Sequence, residues 1–155
     1  MTETTPAVVD DETYDVTRSV LIRAHRSAVW EAITAPELIT EWFGDTATFD
    51  RLDVGGKGVF GWAHYGDIPV EIVEIIEPAV FAFRWANHLT KDGDTLVRFT
   101  LDEVADGTLL RVVESGFDRL NCGDERRRGH AEDNREGWDA ELDELVAFLE
   151  KQDSV

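Results

Sequence analysis

The chain reads as an α+β fold: an antiparallel sheet of about six to seven strands, two short helices after the first strand, and one long closing helix. Three observations predict it. Trp138, Leu142, Leu145 and Leu149 recur at i, i+4, i+7 and i+11, one face of an α-helix, with Asp139, Glu141, Asp143, Glu144 and Glu150 on the opposite, solvated face. Ahead of this helix, much of the chain alternates apolar and polar residues between turns that carry Gly and Asp. Between the first strand and that alternating region, two short segments of helical spacing flank Pro36.

The elements follow in order. Residues 1–14 are polar, acidic and aperiodic, which predicts a flexible tail ahead of a single domain over 15–152. Val16 to Ala24 alternates as a first strand. Ser27 precedes a helical run in which Val29, Trp30 and Ile33 share a face; Thr34-Ala35-Pro36 breaks it, and Glu37 to Phe43 forms a second short helix ending at Gly44. Strands follow at Thr46 to Phe49, Gly58 to His64, Ile68 to Glu77, Val80 to Trp85, Thr95 to Leu101 and Thr108 to Phe117. Lys91-Asp92-Gly93-Asp94 and Asp106-Gly107 are hairpin turns, which imply antiparallel pairing.

Composition narrows the function. At 155 residues the chain suits one domain, large enough to bury roughly two-thirds of its unfolded surface. It has no long apolar run for a transmembrane helix and no apolar stretch near Met1 for a secretory signal. One cysteine, Cys122, cannot form an intrachain disulfide, so the cytoplasm is the default location. A net charge of −18 repels phosphates and anionic lipids, which removes nucleic acid and membrane surfaces as expected partners. The acids are scattered rather than blocked, which fits a solubility adaptation; an acidic docking surface is the alternative.

The order of elements, with these residues, resembles the START-like (SRPBCC) superfamily, and within it the branch related to the activator of heat-shock protein 90 ATPase. The matching pieces are Ala28-Val29-Trp30-Glu31-Ala32, Pro36-Glu37-Leu38 with Trp42-Phe43, Gly55-Gly56, Ile76-Glu77-Pro78 and Phe83-Arg84-Trp85. Gly107-Thr108, Glu114-Ser115-Gly116-Phe117 and Gly137-Trp138 with Leu142 and Leu145 complete them. Together they run from about Val16 to Glu150. The resemblance implies a helix-grip fold, in which a curved antiparallel sheet wraps the C-terminal helix around an apolar cavity. One departure is Arg26-Ser27, after His25, where the family often carries Pro and an acid. Members include co-chaperone domains, lipid and hormone binders and polyketide cyclases, so the fold does not choose a function.

Several constellations can carry one. Phe60, Trp62, Phe81, Phe83, Trp85 and Phe99 are predicted on one sheet face opposite Trp138, with Trp42, Phe43 and Phe49 near the entrance side. Such rings make either a plain core or the wall of a pocket. Extending the helix backwards from Trp138 brings Asn134, Ala131 and Arg127 onto the same face, with His130 adjacent, so its front half aims polar groups where its back half aims leucines. The alternative is that Arg126-Arg127-Arg128 pairs with nearby acids in solvent. Glu114 shares strand parity with Leu110 and Val112 and so faces inward, where a carboxylate needs a partner; Arg127, His130 or His64 are the candidates. It can anchor a ligand, act as a general base, or sit at a strand end that reaches solvent.

The predicted ligand-binding set is therefore Trp42, Phe60, Trp62, His64, Phe83, Trp85, Phe99, Glu114, Arg127, His130, Asn134 and Trp138. The histidines His25, His64, His88 and His130 show no metal-ligand spacing, and neither a metal nor a cofactor is expected. No nucleophile elbow, phosphate loop or dinucleotide fingerprint is present. The leading expectation is a soluble binding protein that holds a small hydrophobic or amphipathic ligand between sheet and helix. The alternatives are a cyclase- or hydrolase-type enzyme using Glu114 and a pocket His, and a co-chaperone-like interaction domain. A chaperone or a second copy of the chain would be the protein partner.

Overall fold

Alternation at a period of two, interrupted by glycine turns, produces an antiparallel meander; a computed structural model of the chain describes residues 3–86 and 91–153. Its strands are β1 (Val8–Val9), β2 (Val16–Ile22), β3 (Thr46–Phe49), β4 (Lys57–Trp62), β5 (Gly66–Ile76), β6 (Val80–Trp85), β7 (Thr95–Val104) and β8 (Gly107–Ser115). They form one eight-stranded sheet in the order β1-β2-β8-β7-β6-β5-β4-β3, with every neighbouring pair antiparallel. The helices α1 (Arg26–Thr34) and α2 (Pro36–Ile39) carry the chain from β2, near one edge, to β3 at the other. A register shift between Ile72 and Glu74 places a bulge in β5, which bends the sheet there. At the β7–β8 turn Gly107 has φ 144°, and a Cβ on it would overlap the Ile22 carbonyl, so a side chain would push β8 off β2.

The closing helix α3 (Asp124–Asp153) has 30 residues and is about 45 Å long. Ala131, Asn134, Trp138, Leu142, Leu145 and Leu149 are its buried stripe. Gly129 and Gly137 lie within it without breaking it. The stripe packs on a core that includes Val20, Ile22, Val29, Ile33, Phe81, Phe83, Val97, Phe99, Leu110 and Val112.

The structure departs from the expectations in four places. The sheet has eight strands rather than six to seven, because the acidic N-terminal segment supplies β1. The described part of that segment is not a free tail. Thr5 N–H donates to the Ser19 carbonyl, Ala7 is buried, and its N–H donates to Asp139 Oδ1 at 2.8 Å. The second helix stops at Ile39 instead of Phe43, since Thr40 to Phe43 continues as tight turns. Finally, Asp139, Glu141 and Glu150, expected on a solvated face, are half-buried.

Arg18 explains how the N-terminal segment, β2 and α3 hold together. It lies on β2 and is 5% exposed. Its guanidinium donates to the carbonyls of Thr5, Trp138 and Asp139 and to Asp143 Oδ1 at 2.7 Å. A planar fork with five donors suits this crossing of three segments, whereas a lysine would satisfy fewer acceptors. Arg18→Met should therefore lower the free energy of unfolding by about 2–3 kcal/mol in urea titration. A loss under about 0.5 kcal/mol would mean that these bonds merely replace water.

Candidate functional site

Glu114 organises the region where sheet and helix meet. It lies on β8 opposite Val16 of β2 and Val97 of β7, and it is fully buried. Its Oε1 accepts from Trp138 Nε1 at 2.9 Å and Asn134 Nδ2 at 3.0 Å. Its Oε2 accepts from Trp85 Nε1 at 3.0 Å, Asn134 Nδ2 at 3.0 Å and Thr95 Oγ at 2.5 Å. Indole and amide N–H groups can only donate, so both oxygens act as acceptors. None of the expected partners takes part. Arg127 donates to the Leu120 carbonyl and to Asp124, His130 meets Asp92, and His64 sits exposed in the β4–β5 turn. Neutral donors at short range replace them: Arg127 and His130 are held by other partners, and His64 lies in an exposed turn.

The rings around this node are packed. Phe43 stacks on Trp85, with centroids 5.7 Å apart at 21°, and on Trp138, 5.6 Å apart at 13°. It meets Trp62 edge-on at 5.2 Å, and Trp62 Nε1 donates to the Phe43 carbonyl. Phe60, Phe81, Phe83 and Phe99 interlock deeper in the core at 2% exposure or less. Trp42 turns back to donate to the Ala32 carbonyl.

What remains open is a cleft of about 340 Å³, lined by Phe43, Trp62, Tyr65, Trp85, Asp133, Asn134, Glu136, Gly137, Trp138 and Glu141. Of the predicted ligand-binding set, the structure brings Trp62, Trp85, Asn134 and Trp138 together on this cleft. Phe60, Phe83, Phe99 and Glu114 are sealed behind it, Trp42 lines a neighbouring depression instead, and His64, Arg127 and His130 do not line it. Phe43, expected near the entrance side, also lines the cleft, and Tyr65, Asp133, Glu136, Gly137 and Glu141 line it without having been singled out for it. Their signal was available in part. Asp133, Gly137 and Glu141 recur at i, i+4 and i+8, one position ahead of the buried Asn134, Trp138 and Leu142. Tyr65 carries no such pattern. A depression of about 240 Å³ lined by Glu41, Asp45 and Glu144 adjoins the cleft through Phe43, Trp62 and Glu141. A larger groove of about 540 Å³ lies at the other end of the β7–β8 hairpin, among Arg23, His25, Arg26, Glu103 and Asp106, but no Phe, Tyr or Trp lines it.

Two charged features stand out. Asp92, Cys122 and His130 come from three separate stretches of chain, yet their potential ligand atoms lie within 4.8 Å of one another. No spacing rule could have revealed that. Asp92 Oδ2 already receives His130 Nε2 at 3.0 Å and Arg126 Nε at 2.7 Å. The His130 bond, then that of Arg126, holds the Asp92 carboxyl below its ordinary range. Asp92 is thus shared between Arg126 and His130, and the cluster reads as a clasp between the β6–β7 connection and the start of α3. Arg127 and Arg128 pair in turn with Asp124 and Asp11. His88 lies outside the described residues.

Glu141 is the opposite case. Its Oε2 is buried without a hydrogen-bond partner. Burial, with Glu144 adding like-charge repulsion, pushes its carboxyl up to about 8. A raised carboxyl binds its proton more tightly in the folded chain than in the unfolded one. The stability this proton contributes is present below about pH 4.5 and is lost as pH climbs toward 8. Comparing melting curves from pH 4.5 to 9, Glu141→Gln should lose less stability than the parent. Discounted for partial exposure, the difference is on the order of 1 kcal/mol. Parallel profiles would show that Glu141 titrates as a solvated acid.

The arrangement matches known proteins at two levels. Protein MLL2253 from Mesorhizobium loti superposes with a TM-score of 0.75 at 23% identity, covering 88% of this chain and 97% of that one. CalU16 from Micromonospora echinospora gives 0.69 at 23%, covering 95% and 85%. The Aha1 dimer from Colwellia psychrerythraea gives 0.69 at 18%, covering 87% and 95%. At these identities the likeness shows a shared fold. No curated protein sequence matches this chain. The sequence profile described as "Activator of Hsp90 ATPase homolog 1-like protein" matches residues 23–150, nearly the whole domain, and the chain belongs to that family.

Proposed function

We propose that this protein binds a small amphipathic molecule in the cleft between α3 and the β4–β6 side of the sheet. The observation that carries the reading is the combination of Phe43, Trp62, Trp85 and Trp138 with Asn134 and Glu141 around one opening of about 340 Å³. An aromatic wall with a few polar groups is the usual composition of a small-molecule site. Asn134 and the two indole N–H groups are held by Glu114, so the wall is organised before a ligand arrives. Glu114 itself supports no acid–base role, because its oxygens are enclosed by donors. The half-buried thiol of Cys122 fits a reducing compartment such as the cytoplasm. Family membership favours a second reading, a chaperone-directed interaction domain, which retention on an immobilised Hsp90-type chaperone would test.

Gly137 allows the cleft to be closed without disturbing the fold. It lies on α3 at the cleft, and a Cβ built on it meets nothing within 4 Å. A helical glycine costs about 1 kcal/mol relative to alanine, so larger residues there should not lower stability. In titrations with a panel of hydrophobic fluorophores, the parent should bind at least one member. Gly137→Phe should weaken that binding about tenfold or more while its urea midpoint stays equal or rises. Unchanged binding in the variant would move the ligand site elsewhere, and no binding by the parent would remove the reading.

A further inference from the structure

The cleft has a one-sided chemistry that narrows what it would hold. Five of its ten lining residues, Phe43, Trp62, Tyr65, Trp85 and Trp138, present aromatic rings. Three more, Asp133, Glu136 and Glu141, are carboxylic acids, and none is Lys, Arg or His. The adjoining depression adds Glu41, Asp45 and Glu144 and again no cation. The nearest arginine on the helix, Arg135, is engaged with Glu132 at 3.1 Å and Asp139 at 3.4 Å, and reaches Glu136 only at 3.8 Å.

An acidic chain will place acids in many positions by composition alone. Glu141 is different, because its Oε2 is buried and lacks any partner among the described residues. An unpartnered buried acceptor at the mouth of a site is a place for a donor or a positive charge that the protein does not supply. Aromatic faces carry negative potential and attract cations, most strongly when water is excluded. An anionic ligand would meet like charge on Asp133 and Glu136 and the negative faces of the rings, whereas a cation beside Glu141 favours release of its proton. A neutral apolar ligand would leave Glu141 unpaired.

We infer that the ligand of this cleft is an organic cation, an apolar body carrying an ammonium or amidinium group that seats against Trp62 and Trp85 and pairs with Glu141. The inference rests on the reading of the cleft as a small-molecule site. It adds the charge of the ligand, which that reading leaves open.

A matched set of probes separates the two claims. The full chain is titrated with naphthylmethyl-trimethylammonium, naphthylmethanol and naphthylacetate, followed by tryptophan quenching and calorimetry. The solution holds about 0.5 M salt, so that diffuse attraction to the net charge is screened. The cation should bind about tenfold more tightly than the alcohol, and the carboxylate more weakly than either. Glu141→Gln should weaken the cation severalfold more than it weakens the alcohol, with the fold checked by circular dichroism. Gly137→Phe should weaken both.

If the alcohol or carboxylate binds as tightly as the cation, the charge assignment is overturned and the cleft reading stands. If no probe binds, both are overturned. If cation binding survives Gly137→Phe, the cation is condensing on the acidic surface rather than entering the cleft, and the assignment is likewise overturned.

Discussion

The fold turns on one buried carboxylate. Placing Glu114 on a central strand removes it from water, which is costly unless donors replace the lost hydration. Here β6 supplies Trp85, β7 supplies Thr95, and α3 supplies Asn134 and Trp138. Satisfying one buried carboxyl group thus determines three separate placements: the rotation of α3 about its axis, its register along the sheet, and the tilt of two indoles. Leucines at 142, 145 and 149 drive the helix onto the sheet, but apolar burial is non-directional and tolerates sliding. The polar node, together with the Arg18 bonds to the Trp138 and Asp139 carbonyls, supplies the direction.

The same node explains why the site is a cleft rather than a closed chamber. Phe60, Phe81, Phe83 and Phe99 fill the concave side of the sheet. Phe43, delivered by the turns after α2, packs against both indoles that Glu114 holds, whose own centroids are 6.1 Å apart. Filling stops at Gly137, where the helix has no side chain, and at Trp62, which leans on the Phe43 carbonyl. The opening therefore forms on the flank of the helix facing β4, with a half-buried acid, Glu141, at its edge. Leaving that oxygen unpartnered costs stability, a pattern associated with binding sites more than with structural acids.

Much of the fold was legible in the sequence because period and punctuation carry it. The β6, β7 and β8 alternation, the Gly107 turn and the helical stripe from Ala131 to Leu149 each follow from residue spacing alone. The inward direction of Glu114 followed from strand parity with Leu110 and Val112. Its partners did not, since an indole N–H is invisible to a search for charges, and the rings of Trp85 and Trp138 point to core or pocket wall rather than to hydrogen bonding. The N-terminal segment looked like a tail because its docking uses backbone groups and polar side chains, such as Thr4 Oγ and Asp139, which leave no apolar pattern. The cleft was displaced by one residue along the helix: Asn134 and Trp138 mark the buried face, whereas Asp133, Gly137 and Glu141 beside them form the wall. The Asp92, Cys122 and His130 cluster depends wholly on tertiary folding and lay beyond any spacing rule.

Hydrogen exchange of the tryptophan indole N–H groups, followed by nuclear magnetic resonance in the unliganded protein, tests the central claim most directly. If the Glu114 carboxylate holds β6 and α3 together, the Trp85 and Trp138 indole protons exchange only on global unfolding, as slowly as the backbone amides of β8. Their shared dependence on denaturant would match that of the whole domain. Exchange of either indole orders of magnitude faster than those amides, independent of denaturant, would show that the carboxylate does not hold the helix to the sheet.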